Sequence, residues 1–193
     1  AENAVHCGLA ILEQMNGLAD ENFSIGIHAG EPVAQTDELF GDTLQLLQGL
    51  SMLKREEPVV ITDGVKELIA KDMLYKRTAQ LLALSLPDEQ FLISLFKVLN
   101  KHYADNDFSA DNYAQILMMS KSQMYRKVTA LTGYSPNDLV KEYRLEKAKE
   151  LLRKKKHNVY EVAMETGFTS ASYFTKCFKA KFGLLPLVYQ QLV

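Results

Sequence analysis

Ser120-Lys121-Ser122-Gln123-Met124-Tyr125-Arg126-Lys127-Val128, closed by Gly133 and Pro136, returns at an offset of 50 as Ser170-Ala171-Ser172-Tyr173-Phe174-Thr175-Lys176-Cys177-Phe178, closed by Gly183 and Pro186. Ser120, Met124, Arg126, Val128, Gly133 and Pro136 thus correspond to Ser170, Phe174, Lys176, Phe178, Gly183 and Pro186. Ala114 and Ala163 stand ahead of them at equivalent places, one residue out of step. Each Ser is a helix cap and each Gly a helix end. The apolar residues between them recur at helical spacing, so each second helix has one buried face. A small Ala upstream permits a close helix crossing. Each unit therefore reads as a short helix, a tight turn and a second helix.

The flanking sequence is helical as well. Ser109 caps a helix that turns Tyr113, Ala114, Ile116 and Leu117 inward. Ser135-Pro136 is a cap followed by Pro at the first helical position. It opens a long helix to residue 153, with Leu139, Val140, Tyr143, Ala148, Leu151 and Leu152 inward. Asn158 and Glu161 have the capping-box spacing, and the short helix they begin stops at Gly167. Further upstream, residues 88–102 place Phe91, Leu92, Leu95, Phe96, Val98 and Leu99 mostly on one face.

Two helix-turn-helix units joined by a rigid helix have an evident use. Their second helices can enter successive major grooves about 34 Å apart. The outer faces have the required chemistry. Lys121, Ser122, Gln123, Arg126 and Lys127 supply one, and Thr169, Ala171, Ser172, Thr175, Lys176 and Lys179 the other. Arg126 is the candidate for direct readout, because a guanidinium can bind guanine bidentately, worth about 1–3 kcal/mol. Tyr125 either packs on the domain or touches a thymine methyl. The run Arg153-Lys154-Lys155-Lys156 either contacts phosphates or complements a helix dipole as a solvated C-terminus.

Residues 88–191 resemble the DNA-binding domain of AraC-family transcription regulators. The resemblance lies in 117–127, in Leu131-Thr132-Gly133-Tyr134-Ser135-Pro136, in Tyr143-Arg144-Leu145-Glu146-Lys147-Ala148, and in 161–168 continuing to 172–179. It implies that Ser122, Tyr125 and Arg126 meet base edges in one groove, and Ala171, Ser172, Thr175 and Lys176 in the next. It also implies double-stranded DNA and the transcription machinery as partners. Tyr189-Gln190 stands where the family has Tyr-Arg, which puts one terminal contact in doubt.

Composition agrees once it is divided. The 193 residues carry a net charge of −2, which taken alone argues against nucleic-acid binding. Residues 1–86 hold 6 Lys+Arg and 13 Asp+Glu, a balance of −7; residues 87–193 hold 16 and 11, a balance of +5. An acidic half joined to a basic half suggests two modules with different partners, meeting near residue 87.

The acidic half reads as an α+β segment in the order α-β-α-β-α. Helices are expected over 2–16 and 39–53, and a strand in 23–33, where Phe23, Ile25, Ile27 and Ala29 alternate with smaller or polar residues. Residues 58–62 form a buried-type strand, and Thr62 or Asp63 caps a short helix with Val65, Leu68 and Ile69. Residues 1–70 resemble the C-terminal half of a class III adenylate/guanylate cyclase catalytic domain, through 25–33 and Phe40-Gly41-Asp42-Thr43-Leu44. The metal-binding Asp residues of such cyclases belong to a first half that this sequence lacks. Gln45 and Gly49 hold the places of the family's transition-state Asn and Arg. Without that Arg, developing phosphate charge loses its stabiliser. The segment is therefore expected to be a degenerate cyclase-like module and not an enzyme. Because active cyclases work as dimers, homodimerisation is its expected retained role.

The resulting organisation is a partial cyclase-like α+β segment over 1–72, a linker over 73–87, and an all-α tandem helix-turn-helix domain over 88–193. The chain is expected to be a sequence-specific DNA-binding transcription regulator. The alternative is a nucleotide-binding or dimerisation module controlling an attached DNA-binding domain. No cofactor and no metal are expected, since His6, His28, His102 and His157 are scattered and the two cysteines lie in different halves. His28 reads as structural, Asp42 as a cap or turn residue, and Cys177 as a core thiol beside Phe174 and Phe178. No membrane span and no signal peptide are visible, which suits the cytoplasm. The absence of an initial Met is expected of a processed chain or a fragment.

Overall fold

The computed structural model describes residues 1–15, 24–29, 41–54, 57–72 and 80–193. The chain divides into two compact units: residues 1–97 with 130–133, and residues 98–129 with 134–193.

The first unit contains α1 (Glu2–Met15), β1 (Ile25–Ile27), α2 (Gly41–Ser51), β2 (Val59–Ile61), α3 (Asp63–Glu67) and β3 (Leu81–Ala83). The strands form a parallel sheet in the order β1-β2-β3, with Gly26, Val60 and Leu82 in register. The central strand Val59-Val60-Ile61 is fully buried, as a parallel strand covered on both faces must be. Val5 and Leu9 of α1 pack on Val59, Ile61, Val65, Ile69 and Leu81. On α2, Leu50 lies 2.7 Å from where a Cβ of Gly26 would stand, so the absent side chain lets the helix approach β1.

The expected α-β-α-β-α order is present and continues with a third strand. Residues 81–83 fall in the stretch read as a linker. Leu and Ala have no strong strand preference, and the run is too short to show a period. Pairing with β2 makes it a strand. The remainder of the predicted strand over 23–33, beyond 24–29, lies outside the described residues, as do the side chains of Asp42 and Gln45.

The helix α4 (Leu86–His102) begins slightly before residue 88, and the units divide within it, between Lys97 and Val98. The charge shift near 87 marks composition, whereas the division follows packing. The early turns of α4 belong to the first unit, where the Phe96 ring lies against Gly49 of α2. Glu89 is buried there as well. Its carboxylate accepts from the Asp63 amide at 3.1 Å and lies 3.5 Å from His28 Nδ1, which in turn is 3.0 Å from Thr62 Oγ1. His28 is therefore a partnered structural residue, as expected. Thr62 is the N-cap of α3 by backbone conformation, but its hydroxyl meets His28 and not the helix.

The second unit is all helical: the last residues of α4, then α5 (Ala110–Ile116), α6 (Lys121–Thr132, its last residues grouped with the first unit), α7 (Pro136–Arg153), α8 (Val159–Glu165), α9 (Ala171–Phe182) and α10 (Pro186–Leu192). The expected caps are present. Ser135 Oγ accepts from the Asp138 amide at 3.2 Å, with Pro136 at the first helical position. Asn158 and Glu161 cap α8 reciprocally, at 2.9 and 2.8 Å. Leu145, Ala148, Leu152, Val162, Ala163, Phe168, Phe174 and Phe178 form one core. Ring contacts run from Phe168 to Phe174 (5.1 Å), Phe178 (5.6 Å) and Phe182 (4.5 Å). Ile116, expected inward, is exposed, because α5 is too short to bury a second face. Cys177 is half-buried against the core rather than fully inside it.

Replacing Gly49 by Ala should destabilise the chain by about 1–3 kcal/mol, since the new methyl overlaps the Phe96 ring in a packed interior. Urea unfolding monitored in the far ultraviolet will read it as a lower midpoint at unchanged m.

Candidate nucleic-acid interface

The two turns that precede α6 and α9 have the same hydrogen bonds. At the end of α5, the Leu117 amide donates to Tyr113 O (3.0 Å), Met118 to Gln115 O (3.1 Å) and Met119 to Ala114 O (2.9 Å). At the end of α8, the Thr166 amide donates to Val162 O (3.1 Å), Gly167 to Met164 O (3.1 Å) and Phe168 to Ala163 O (3.0 Å). The bond spanning five residues, with a left-handed residue before its donor, is that of a Schellman-type helix end. Met118 has φ +51° and Gly167 φ +80°. The second turn then takes one residue more before its cap, which explains why the repeat is out of step by one.

The caps that follow also correspond. Ser120 O accepts from the Met124 amide and Ser170 O from the Phe174 amide, both at 2.9 Å. Ser170 Oγ accepts from the Tyr173 amide at 3.3 Å. Ser120 has a reciprocal partner in Gln123, whose Oε1 accepts from the Ser120 amide at 3.2 Å. Met124 and Val128 are buried on α6, Phe174 and Phe178 on α9. The opposite face of each helix is thereby turned outward.

On α6, Lys121, Ser122, Gln123, Tyr125 and Arg126 are exposed and Lys127 is half-exposed. Tyr125, at 55% exposure, stands on the surface rather than in the core. Two of these groups are engaged within the chain. The Gln123 carbonyl serves the cap, and Lys121 Nζ pairs with Asp111 at 2.6 Å. Arg126 Nε donates to Ser122 O, one turn back, at a long 3.4 Å. On α9, Ser172, Lys176 and Lys179 are exposed and Thr175 is half-exposed, while Ala171 packs partly on the core. Arg153, Lys154, Lys155 and Lys156 are all exposed, and Lys155 has φ +53° as the chain leaves α7. Gln190, at the site of the expected Arg, donates to His157 O at 2.8 Å.

Several cations of this unit serve packing instead, a use that sequence reading did not separate from surface charge. Lys181 pairs with Glu142 at 2.6 Å and Glu146 at 3.1 Å, joining α9 to α7. Burial pulls its pKa down, but the hydrogen bond and charge of the two carboxylates outweigh this and hold it above the usual lysine value. Arg144 Nε donates to Tyr103 O at 2.7 Å and Nη2 to Asp105 O at 2.6 Å. Burial lowers its pKa from the usual guanidinium value. Among the described residues no His, Cys, Asp or Glu cluster could hold a metal ion, and no helix is long and apolar enough to cross a membrane.

A family model described as a helix-turn-helix domain matches residues 113–192. The chain is 36% identical over 103 residues to histidine kinase P4 of Formosa agariphila, covering 53% of this chain and 8% of that protein. It is 33% identical over 95 residues to the HTH-type transcriptional regulator MtrA of Neisseria gonorrhoeae, covering 49% of this chain and 31% of that protein. The chain thus spans under a third of the length of these relatives. The C-terminal domain of AraT, a response regulator from Geobacillus stearothermophilus, superposes with a TM-score of 0.50 at 26% identity, over 57% of this chain and 88% of that one. An AraC-type transcriptional regulator from Chromobacterium violaceum has the same fold, with a TM-score of 0.51 at 20% identity over 55% and 95%. The C-terminal half of the chain therefore carries a helix-turn-helix domain with the fold of the AraT C-terminal domain.

Met118 is 94% exposed, so its left-handed conformation has little packing to offset it. Met118→Gly should raise stability by about 0.5 kcal/mol, the relief of left-handed strain less the entropy of Gly. The urea midpoint at constant m checks this.

Proposed function

We propose that the chain is a sequence-specific DNA-binding transcription regulator, with α6 and α9 inserted into successive major grooves of double-stranded DNA. The observation that carries this is the paired turn, repeated bond for bond, each presenting a polar and cationic face opposite a buried one. Arg126, Ser122 and Tyr125 read bases from α6; Ser172, Thr175 and Lys176 read them from α9, with Ala171 at its edge. In this reading Lys127, Lys179 and the exposed run from Arg153 to Lys156 contact phosphates, and Lys121 and Gln123 support the start of α6. Phosphate contacts position such a protein and base contacts specify its site. The regulator acts on the transcription machinery in the cytoplasm.

A binding-site selection with the whole chain should enrich a two-part motif; a pool that stays random would sink this reading. Arg126→Ala should relax preference at one base position by about 1–3 kcal/mol. Lys154→Ala should weaken all sequences alike and reduce the slope of log K against log salt by about 1.

The acidic unit is, in this reading, a cyclase-like module without catalysis, used for pairing with a second copy of the chain. Its support is the small parallel sheet and the state of residue 49. Where the resemblance puts an arginine, Gly49 is covered by the Phe96 ring, with no room for even a methyl group. Incubation with ATP or GTP and a divalent metal should yield no cyclic nucleotide, measured by chromatography.

A further inference from the structure

We infer that Arg144 is a positioning residue for the second recognition helix, α9, and not for α6, acting through the backbone of the turn at Gly167. The inference rests on the DNA-reading function proposed above and adds to it a specific division of labour between the two units.

The turn at Gly167 is wedged, whereas its counterpart at Met118 is open to solvent. A Cβ on Gly167 would collide with Tyr103 O and would lie 2.8 Å from Arg144 Nε. Arg144 holds that same Tyr103 carbonyl at 2.7 Å and the Asp105 carbonyl at 2.6 Å. The guanidinium therefore fixes the chain leaving α4, and the fixed chain and the guanidinium together form the surface on which Gly167 rests. Three residues later Ser170 caps α9. Between them Phe168 is buried, with its ring 5.1 Å from Phe174 and 6.3 Å from Tyr173. Arg144, Gly167, Phe168 and Tyr173 line one groove with Phe108 and Ser109, which lead into α5, while no residue of α6 or of the turn before it takes part. Displacing the guanidinium thus bears directly on the turn that sets the direction of α9. Arg144 itself is spent on two carbonyls in this arrangement, which distinguishes it from a DNA contact. On α5 and α6 the equivalent turn residue, Met118, is 94% exposed.

Arg144→Gln removes the two-carbonyl grip, and Gly167→Ala disturbs the same contact from the other side. Arg144→Lys, which keeps the charge but not the fork, serves as the conservative variant. Circular dichroism and thermal unfolding select variants that remain folded. Hydrogen exchange needs no DNA: either variant should speed exchange at the amides of 169–174 by about tenfold or more and leave those of 121–128 unchanged. Equal acceleration in both helices, or none, overturns the inference. The second readout uses the operator recovered by selection, its halves assigned with Arg126→Ala and Lys176→Ala. Arg144→Gln and Gly167→Ala should lose discrimination against a scrambled α9 half by about tenfold while keeping it at the α6 half, with the salt slope of the wild type. Arg144→Lys should fall between. A salt slope reduced by about one in Arg144→Gln would make Arg144 a phosphate contact and overturn the inference. If no operator is recovered, the DNA-reading proposal fails, and the exchange measurement alone decides whether Arg144 holds the turn.

Discussion

The left-handed residue at the end of α5 and of α8 is the constraint on which the direction of α6 and α9 depends. A helix end leaves carbonyls without partners, and here Ala114 O and Ala163 O are satisfied by amides five residues on. That closure lets each chain reverse within a few residues while keeping its backbone paired. The next helix then leaves at a defined angle, so the side chains opposite Met124 and Phe174 have a defined direction. The two turns meet this demand differently. Gly167 reaches the conformation without strain and is buried against a fixed carbonyl, whereas Met118 reaches it as a residue with a Cβ and little cover.

Held this way, the helices still need a frame, and part of the positive charge goes into building it. Arg144 grips two carbonyls, Lys181 joins α9 to α7, and Lys149 Nζ stands 4.9 Å from the centre of the Phe182 ring. Those charges are used inside the unit. The +5 balance of the C-terminal half therefore overstates the positive charge that is left free of internal packing. Arg126, Lys176, Lys179 and the run from Arg153 to Lys156 remain exposed. An electrostatic surface is better read from where cations point than from how many there are.

Caps, turns and the buried helix faces were legible in the sequence because each is a local signal: a Ser, Asn or Gly at a fixed distance from an apolar residue. Ser135-Pro136, Asn158 with Glu161, and Gly183 all take the expected places. The face of α6 was legible for the same reason. What could not be read depends on partners distant in sequence. Leu81-Leu82-Ala83 becomes a strand only through pairing with Val59-Val60-Ile61. Gly49 has its packing role because Phe96 lies on it. Arg144 resembles any helical surface cation until Tyr103 and Asp105 are brought beside it. A charge count finds a change of composition, and the packing of α4 does not follow that change.

The acidic unit shows the same separation between composition and use. Glu89 contributes to the −2 net charge as any carboxylate does, yet it is buried and accepts from the Asp63 amide beside His28. A buried carboxylate costs desolvation that only close partners offset, so its position is specified by that pairing. It lies in the first turn of α4 and ties that turn to the start of α3, while Phe96 ties a later turn to α2. Two dissimilar contacts, one polar and one apolar, thus tie the early turns of α4 to α3 and to α2. Turning the helix about its axis would withdraw the Phe96 ring from Gly49 and break the Glu89 bond to Asp63, so the two contacts select the same rotation.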